Sequence, residues 1–155
     1  MKNYITYLSL FLLVLSTASC SDDDDGQCSP AIIAVTSLED EYGCTNTPDQ
    51  MEIDLTEDFI IISTQAQFDN LVTGSCTPDI DFVTYDLLIG KKQLSSGLEK
   101  ITYDNLMGNC NNNELALNIT FTQNIATIAP NVTYHLLVPK LQDGEVIIVS
   151  TTTII

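Results

Sequence analysis

The chain has 155 residues, 45% of them hydrophobic, with 21 acidic residues against 5 basic ones and a formal net charge of −16. That length suits one domain with a real core. The charge excludes nucleic acid as a partner, because phosphate contacts call for clustered Lys or Arg, and it holds the body away from an anionic membrane surface.

Residues 1–19 read as an export signal: Lys2 near the start, the apolar run "YLSLFLLVLS", then the small residues Thr17, Ala18 and Ser19. The run is shorter than the roughly 20 apolar residues a membrane-spanning helix needs. "LSTASC" resembles the lipobox of bacterial lipoproteins, which implies that Cys20 carries acyl chains such as palmitate and becomes the first mature residue. The residues that follow, Ser21, Asp22, Asp23, Asp24 and Asp25, repel one another and stay solvated. They resemble the acidic tract behind the lipidated cysteine of lipoproteins exported to the outer face of the outer membrane. Contiguous aspartates are a poor calcium loop, which alternates its ligands. The expected organisation is a signal peptide over 1–19, a lipidated cysteine and acidic tether over 20–30, and a single β-rich domain over 31–155.

Four further cysteines, Cys28, Cys44, Cys76 and Cys110, form an even set in an exported chain, which suggests two disulfides with three possible connectivities. No close C-x-x-C pair supports a metal site, and no metal or other cofactor is expected. Between the first cysteines and the core, "MEIDL" and "FIIIS" suggest short strands, the second buried on both faces. Thr64 and Gln67 form a capping box, Phe68, Leu71 and Val72 make an apolar stripe, and Gly74 ends this one short helix.

Beyond it, "DFVTYDLLIG" and "LEKITYDNLM" flank the polar turn "KKQLSS". Folding them back about Gln93 as a hairpin brings Phe82 opposite Asp104 and Cys76 near Cys110, which pairs Cys76 with Cys110 and leaves Cys28 for Cys44. In "LALNITF" the residues Leu115, Leu117, Ile119 and Phe121 alternate with polar or small ones, describing a strand with one wet face. In "NVTYHLLVPK" the same pattern puts Val132, Tyr134, Leu136 and Val138 on the core face and Thr133 and His135 on the wetter one. The β-branched "EVIIVSTTTII" closes the domain. The expected class is mainly β (α+β): an antiparallel sandwich or partly open barrel with one short helix and two disulfides.

From about Phe59 to Ile148 the pieces "QAQFDNLV", "IDFVTYDLLIG", "SSGLEKITY" and "YHLLVPK" resemble, in type and order, the C-terminal domain of the protease-complex-stabilising lipoproteins, the PrcB-like family. The resemblance implies a non-enzymatic lipoprotein that binds and steadies an envelope protein at the cell surface. It carries over no catalytic residue. Two other functions are compatible with the residues. A glycan hydrolase would use the carboxylates Asp79, Asp81 and Asp86, although acids flanking Pro78 at a strand entrance commonly satisfy loop amides. A purely structural envelope subunit would need no site at all. His135, the sole histidine, reads as a surface or edge residue rather than a catalytic base. "NIT" and "NVT" read as strand residues that happen to match a glycosylation pattern.

Overall fold

The computed structural model describes residues 30–55, 58–109 and 112–155. Within them lie the strands β1 (Ala31–Ile33), β2 (Thr36–Ser37), β3 (Glu52–Ile53), β4 (Phe59–Ile62), β5 (Val72–Thr73) and β6 (Tyr85–Gln93). The later strands are β7 (Leu98–Tyr103), β8 (Leu106–Gly108), β9 (Glu114–Gln123), β10 (Asn131–Pro139) and β11 (Val146–Ile154), and the helices are α1 (Leu38–Tyr42) and α2 (Gln65–Leu71). The architecture is mainly β with a curled, half-barrel character.

Two sheets carry it. The first runs β1-β8-β9-β11, and the second β2-β10-β6-β4. Because β11 follows β9 along nearly its whole length, β7 and β8 share the other side of β9. Strand β9 alternates as its sequence does: Leu115, Leu117, Ile119 and Phe121 turn inward and meet Leu88, Val132, Tyr134, Leu136 and Val138 of the second sheet. Each such aliphatic side chain contributes about 1.5–3 kcal/mol when taken fully out of water. Tyr134 meets Phe121 edge to face with ring centroids 5.6 Å apart, and its hydroxyl donates to the Asp58 carbonyl at 3.2 Å. Gly90 lies opposite Tyr134 in the β6–β10 ladder, and a Cβ there would overlap the phenol ring, so only glycine fits under it.

The second sheet is covered on its other face as well. Leu87, Ile89 and Leu137 point away from the first sheet and pack against Leu38, Met51, Ile53, Phe68, Val72 and Ile80, which belong to a cap built from α1, α2, the β3–β5 pair and the loops between them. The molecule therefore has three layers: the first sheet, the second sheet, and the cap. A middle layer must be apolar on both sides, and "DLLIG" and "HLLV" are buried at every position.

This layering corrects several expectations. Strands β6 and β7 are not a hairpin: β6 pairs with β10 and β4, while β7 pairs with β9 in the other sheet. The chain turns the corner between sheets at Leu94–Gly97, where Leu94 is buried and its N–H donates to the Pro130 carbonyl at 2.9 Å. The register of Phe82 against Asp104 falls with the hairpin, and so does the bond between Cys76 and Cys110. Cys44 is instead bonded to Cys76, with Cα atoms 5.7 Å apart, which also overturns the pairing of Cys28 with Cys44. Cys76 precedes β6 in the cap, where its N–H donates to Gln50 at 2.9 Å; the loop leaving α1 brings Cys44 to the same layer. Cys28 and Cys110 lie outside the described residues.

Thr133 and His135 are completely buried rather than wet, because the cap covers the face they occupy. Strand β11 runs parallel to β9, not antiparallel: the chain crosses to the second sheet as β10 and returns, reversing direction twice. The expected helix is present as α2, where the Thr64 side chain accepts from the Gln67 N–H at 3.2 Å and Phe68 is the buried anchor. It ends at Leu71 and passes directly into β5; Gly74 is needed a little later, at φ 127°, where the chain presses against the Gln50 carbonyl. A second helix, α1, was not expected.

Candidate binding cleft

The sandwich is open along the side where β2 borders the second sheet and β7 the first. A cleft of about 540 Å³ lies there, floored by Val35, Leu98, Ile101 and Leu136 and rimmed by Glu39, Asp40, Asn46, Thr47, Glu99 and Lys100. Its existence follows from strand length. Strand β2 is only two residues long and pairs with β10 at Leu136 and Leu137, so the next N–H of β10, that of His135, has no strand partner on this side. The Tyr103 hydroxyl from β7 accepts it at 3.3 Å and donates in turn to the Asn46 side-chain carbonyl at 3.4 Å. Burial, with Tyr134, Glu39 and Asp40 adding to it and the His135 N–H opposing it, pushes the phenol well above its ordinary pKa. Tyr103 is therefore a neutral hydrogen-bonding group in the cleft wall.

The acidic rim is set by α1. Ser37 caps it, its Oγ accepting from the Asp40 N–H at 3.0 Å and donating to Asp40 Oδ2 at 2.7 Å. Gly43, in the left-handed conformation at φ 72°, stops the helix after five residues. Cys44 then fixes the outgoing chain through its bond to Cys76. The next residues return to the cleft, where Asn46 Nδ2 donates to Glu39 Oε2 at 3.5 Å. A carboxylate rim over an apolar floor can take a lysine or arginine side chain, whose stem packs below while its charged end meets Glu39, Asp40 or Glu99.

The residues singled out from sequence fall elsewhere. Asp81 accepts from the N–H groups of Val83 and Thr84 at 3.1 and 3.4 Å, and hydrogen bonding, that of the Thr84 side chain foremost, holds its pKa below the usual carboxylate value; it organises the turn into β6. Asp79 is exposed on the same loop. Asp86 is buried and bound to Lys140 Nζ at 2.7 Å and the Leu141 N–H at 2.9 Å. Burial opposes its ionisation, but Lys140, Leu141 and Ser63 together keep it charged. Asp81 and Asp86 thus have separate local duties.

His135 is sealed under the cap with neither ring nitrogen hydrogen-bonded to protein. Burial lowers its pKa to about 4, with the neighbouring Thr45 backbone offsetting part of the effect. Among the described residues no cluster of three or more His, Cys, Asp or Glu could hold a metal ion, and no helix is long and apolar enough to cross a membrane. Cys20 and the tract Ser21–Asp25 lie outside the described residues.

The cleft residues were missed in sequence. "SLEDEYG" did carry a helix signal, a serine cap, three acids in the first turn and a closing glycine, but its apolar side, Leu38 and Tyr42, is a single turn long. Nothing in "KITYD" marks Tyr103 as the residue that would complete the short edge. No family model matches the chain, and no curated protein or solved structure matches it either.

Proposed function

We propose that the protein is an outer-membrane lipoprotein, anchored by lipid on Cys20 and displayed outward on the Ser21–Asp25 tether, that binds and steadies an envelope protein without catalysing a reaction on it. The observation carrying this reading is the cleft between β2 and β7, with its acidic rim, apolar floor and Tyr103 wall. Its geometry is set before any partner arrives, by the α1 caps and the Cys44–Cys76 bond, so little ordering cost falls on binding. The partner surface it suits is a protruding segment with lysine or arginine over aliphatic neighbours. The lipobox-like and acidic stretches of the sequence support the location: about ten residues separate Cys20 from β1, which can span at most roughly 35 Å, and acylation with more than one chain supplies the two signals that stable anchoring requires.

The test is photocrosslinking on intact cells. A benzophenone amino acid at Thr47, on the cleft rim, is expected to trap one defined envelope protein. The adduct should be lost in Glu39→Lys with Asp40→Lys, and the protein should leave the membrane fraction in Cys20→Ser. An adduct unaffected by the charge reversals would remove the cleft from the function, and a Cys20→Ser protein that stays membrane-bound through a high-salt wash would remove the anchor.

A further inference from the structure

Strand β11 is a sheet edge of a kind that folded proteins seldom leave open. It spans nine residues and pairs with β9 alone among the described residues. It contains no proline or charged side chain of its own, two of the devices that ordinarily blunt an edge against pairing; among the described residues the one cation that reaches it is Lys92 of β6, whose Nζ donates to Thr151 Oγ1 at 2.9 Å. Beside it the outer face of the first sheet carries an apolar row in continuous register. Ile32 lies opposite Met107, Met107 opposite Ala116, and Ala116 opposite Ile148. The large members of the row are 73%, 50% and 47% exposed, and Val146, the next outward residue on β11, is exposed as well. One end of the row meets carboxylates: Glu114 is the ladder partner of Val146, and Asp143 and Glu145 sit in the turn just before it.

We infer that β11 is a second binding surface, which accepts an extended strand from a basic partner protein, apolar at alternate positions and bearing lysine or arginine where it passes Glu114 and Glu145. The free edge requires an extended chain, since only a strand supplies backbone donors and acceptors along its whole length. The row fixes which side chains that strand presents outward, and the carboxylates fix the sign of its charge. A second copy of this chain is disfavoured by the same electrostatics, because each copy carries a net charge of −16. The chain's own residues 20–29 are disfavoured too: in sequence they precede β1, which is at the opposite edge of the sheet from β11, and they bring four further aspartates. The inference rests on the protein being a binding module but uses the side of the sandwich away from the cleft, where β4 and β11 border a separate small groove with Phe59, Lys92 and Val149.

The probe is a synthetic peptide of valine alternating with threonine, with lysine at both ends, titrated against the purified full chain in detergent. Binding is expected, with a loss of about tenfold or more in Ile148→Lys, which sets like charges together. A comparable loss is expected when the peptide is N-methylated at alternate residues, and no binding when glutamate replaces lysine. Ile125→Lys, an exposed site in the loop after β9, should leave affinity unchanged. N-methylation alters only the peptide, so that arm holds even if a protein variant misfolds. Absence of binding, or equal affinity for the N-methylated peptide, overturns the inference. A wild-type dimer that Ile148→Lys converts to monomer overturns it in favour of a second copy. Peptide binding abolished by Glu39→Lys but not by Ile148→Lys assigns the peptide to the cleft and also overturns it, while leaving the proposed function standing.

Discussion

His135 occupies the middle strand of a three-layer stack, fully buried and with both ring nitrogens lacking protein partners. A neutral imidazole tolerates that site better than a charged one, which is why burial lowers its pKa from 6.5 to about 4. The consequence is a pH window. Between 6.5 and 4 the unfolded chain holds a proton on this residue that the folded chain refuses, so stability falls as pH drops through that range and levels off, for this group, below about 4. The effect is on the order of 3 kcal/mol. Below the ordinary carboxylate range Asp86 adds a further loss, since its folded pKa is depressed and its pairing with Lys140 disappears on protonation. Urea unfolding at several pH values should show this slope in the wild type. His135→Met should flatten it between pH 6.5 and 4, because methionine takes up no proton in the unfolded chain. An identical slope in the variant would assign the effect to other groups. Sequence could not reveal this burial: alternation in "NVTYHLLV" divides residues between two faces, but the identity of Thr133 and His135 suggested water where the cap lies.

At the scale of elements, the strands were more legible than their partners. The period of two in β9, the capping box of α2 and the β-branched run of β11 each gave the right element in nearly the right place. Pairing was misread where proximity in sequence suggested a hairpin: β6 and β7 are separated by a short polar link, yet they belong to different sheets. A double-sided apolar run such as "DLLIG" is a signal against a simple hairpin with a half-wet strand like "LEKITY", because the first needs cover on both faces and the second does not. The corrected pairing leaves Cys28 and Cys110 to be assigned, and the β1–β8 ladder motivates one assignment. Ala31 stands opposite Gly108 in an antiparallel pair; Cys28 comes three residues before the one, and Cys110 two after the other. We expect non-reducing peptide mapping of the purified protein to find Cys28 joined to Cys110. Free thiols at both positions, or either one bonded to a second chain, would refute it.

For the molecule as a whole, the layers are unequal in how they are held. The two sheets share a continuous core with Phe121 and Tyr134 near its centre, whereas the cap consists of two short helices, a two-residue strand pair and connecting loops held by its own cluster of side chains. The Cys44–Cys76 bond crosses the cap, closing 32 residues of sequence, and on the chain-entropy account a loop of that size is worth about 3–4 kcal/mol. Two functions share that bond. It keeps Met51 and Phe68 pressed on the second sheet, and it fixes the loop carrying Asn46 and Thr47 in the cleft wall. The Cys44→Ser, Cys76→Ser double variant should therefore lose stability by about that amount, and the loss should be uneven. Native-state hydrogen exchange is expected to accelerate first at cap amides such as Met51 and Phe68, with Ile119 and Leu136 in the sandwich far less affected. Capture through a crosslinker at Thr47 should weaken in the same variant, while strand-peptide binding at β11, on the side remote from the cap loop, should persist. Uniform acceleration of cap and sandwich amides would show instead that the three layers open as one unit, and the cleft and the β11 edge would then fail together.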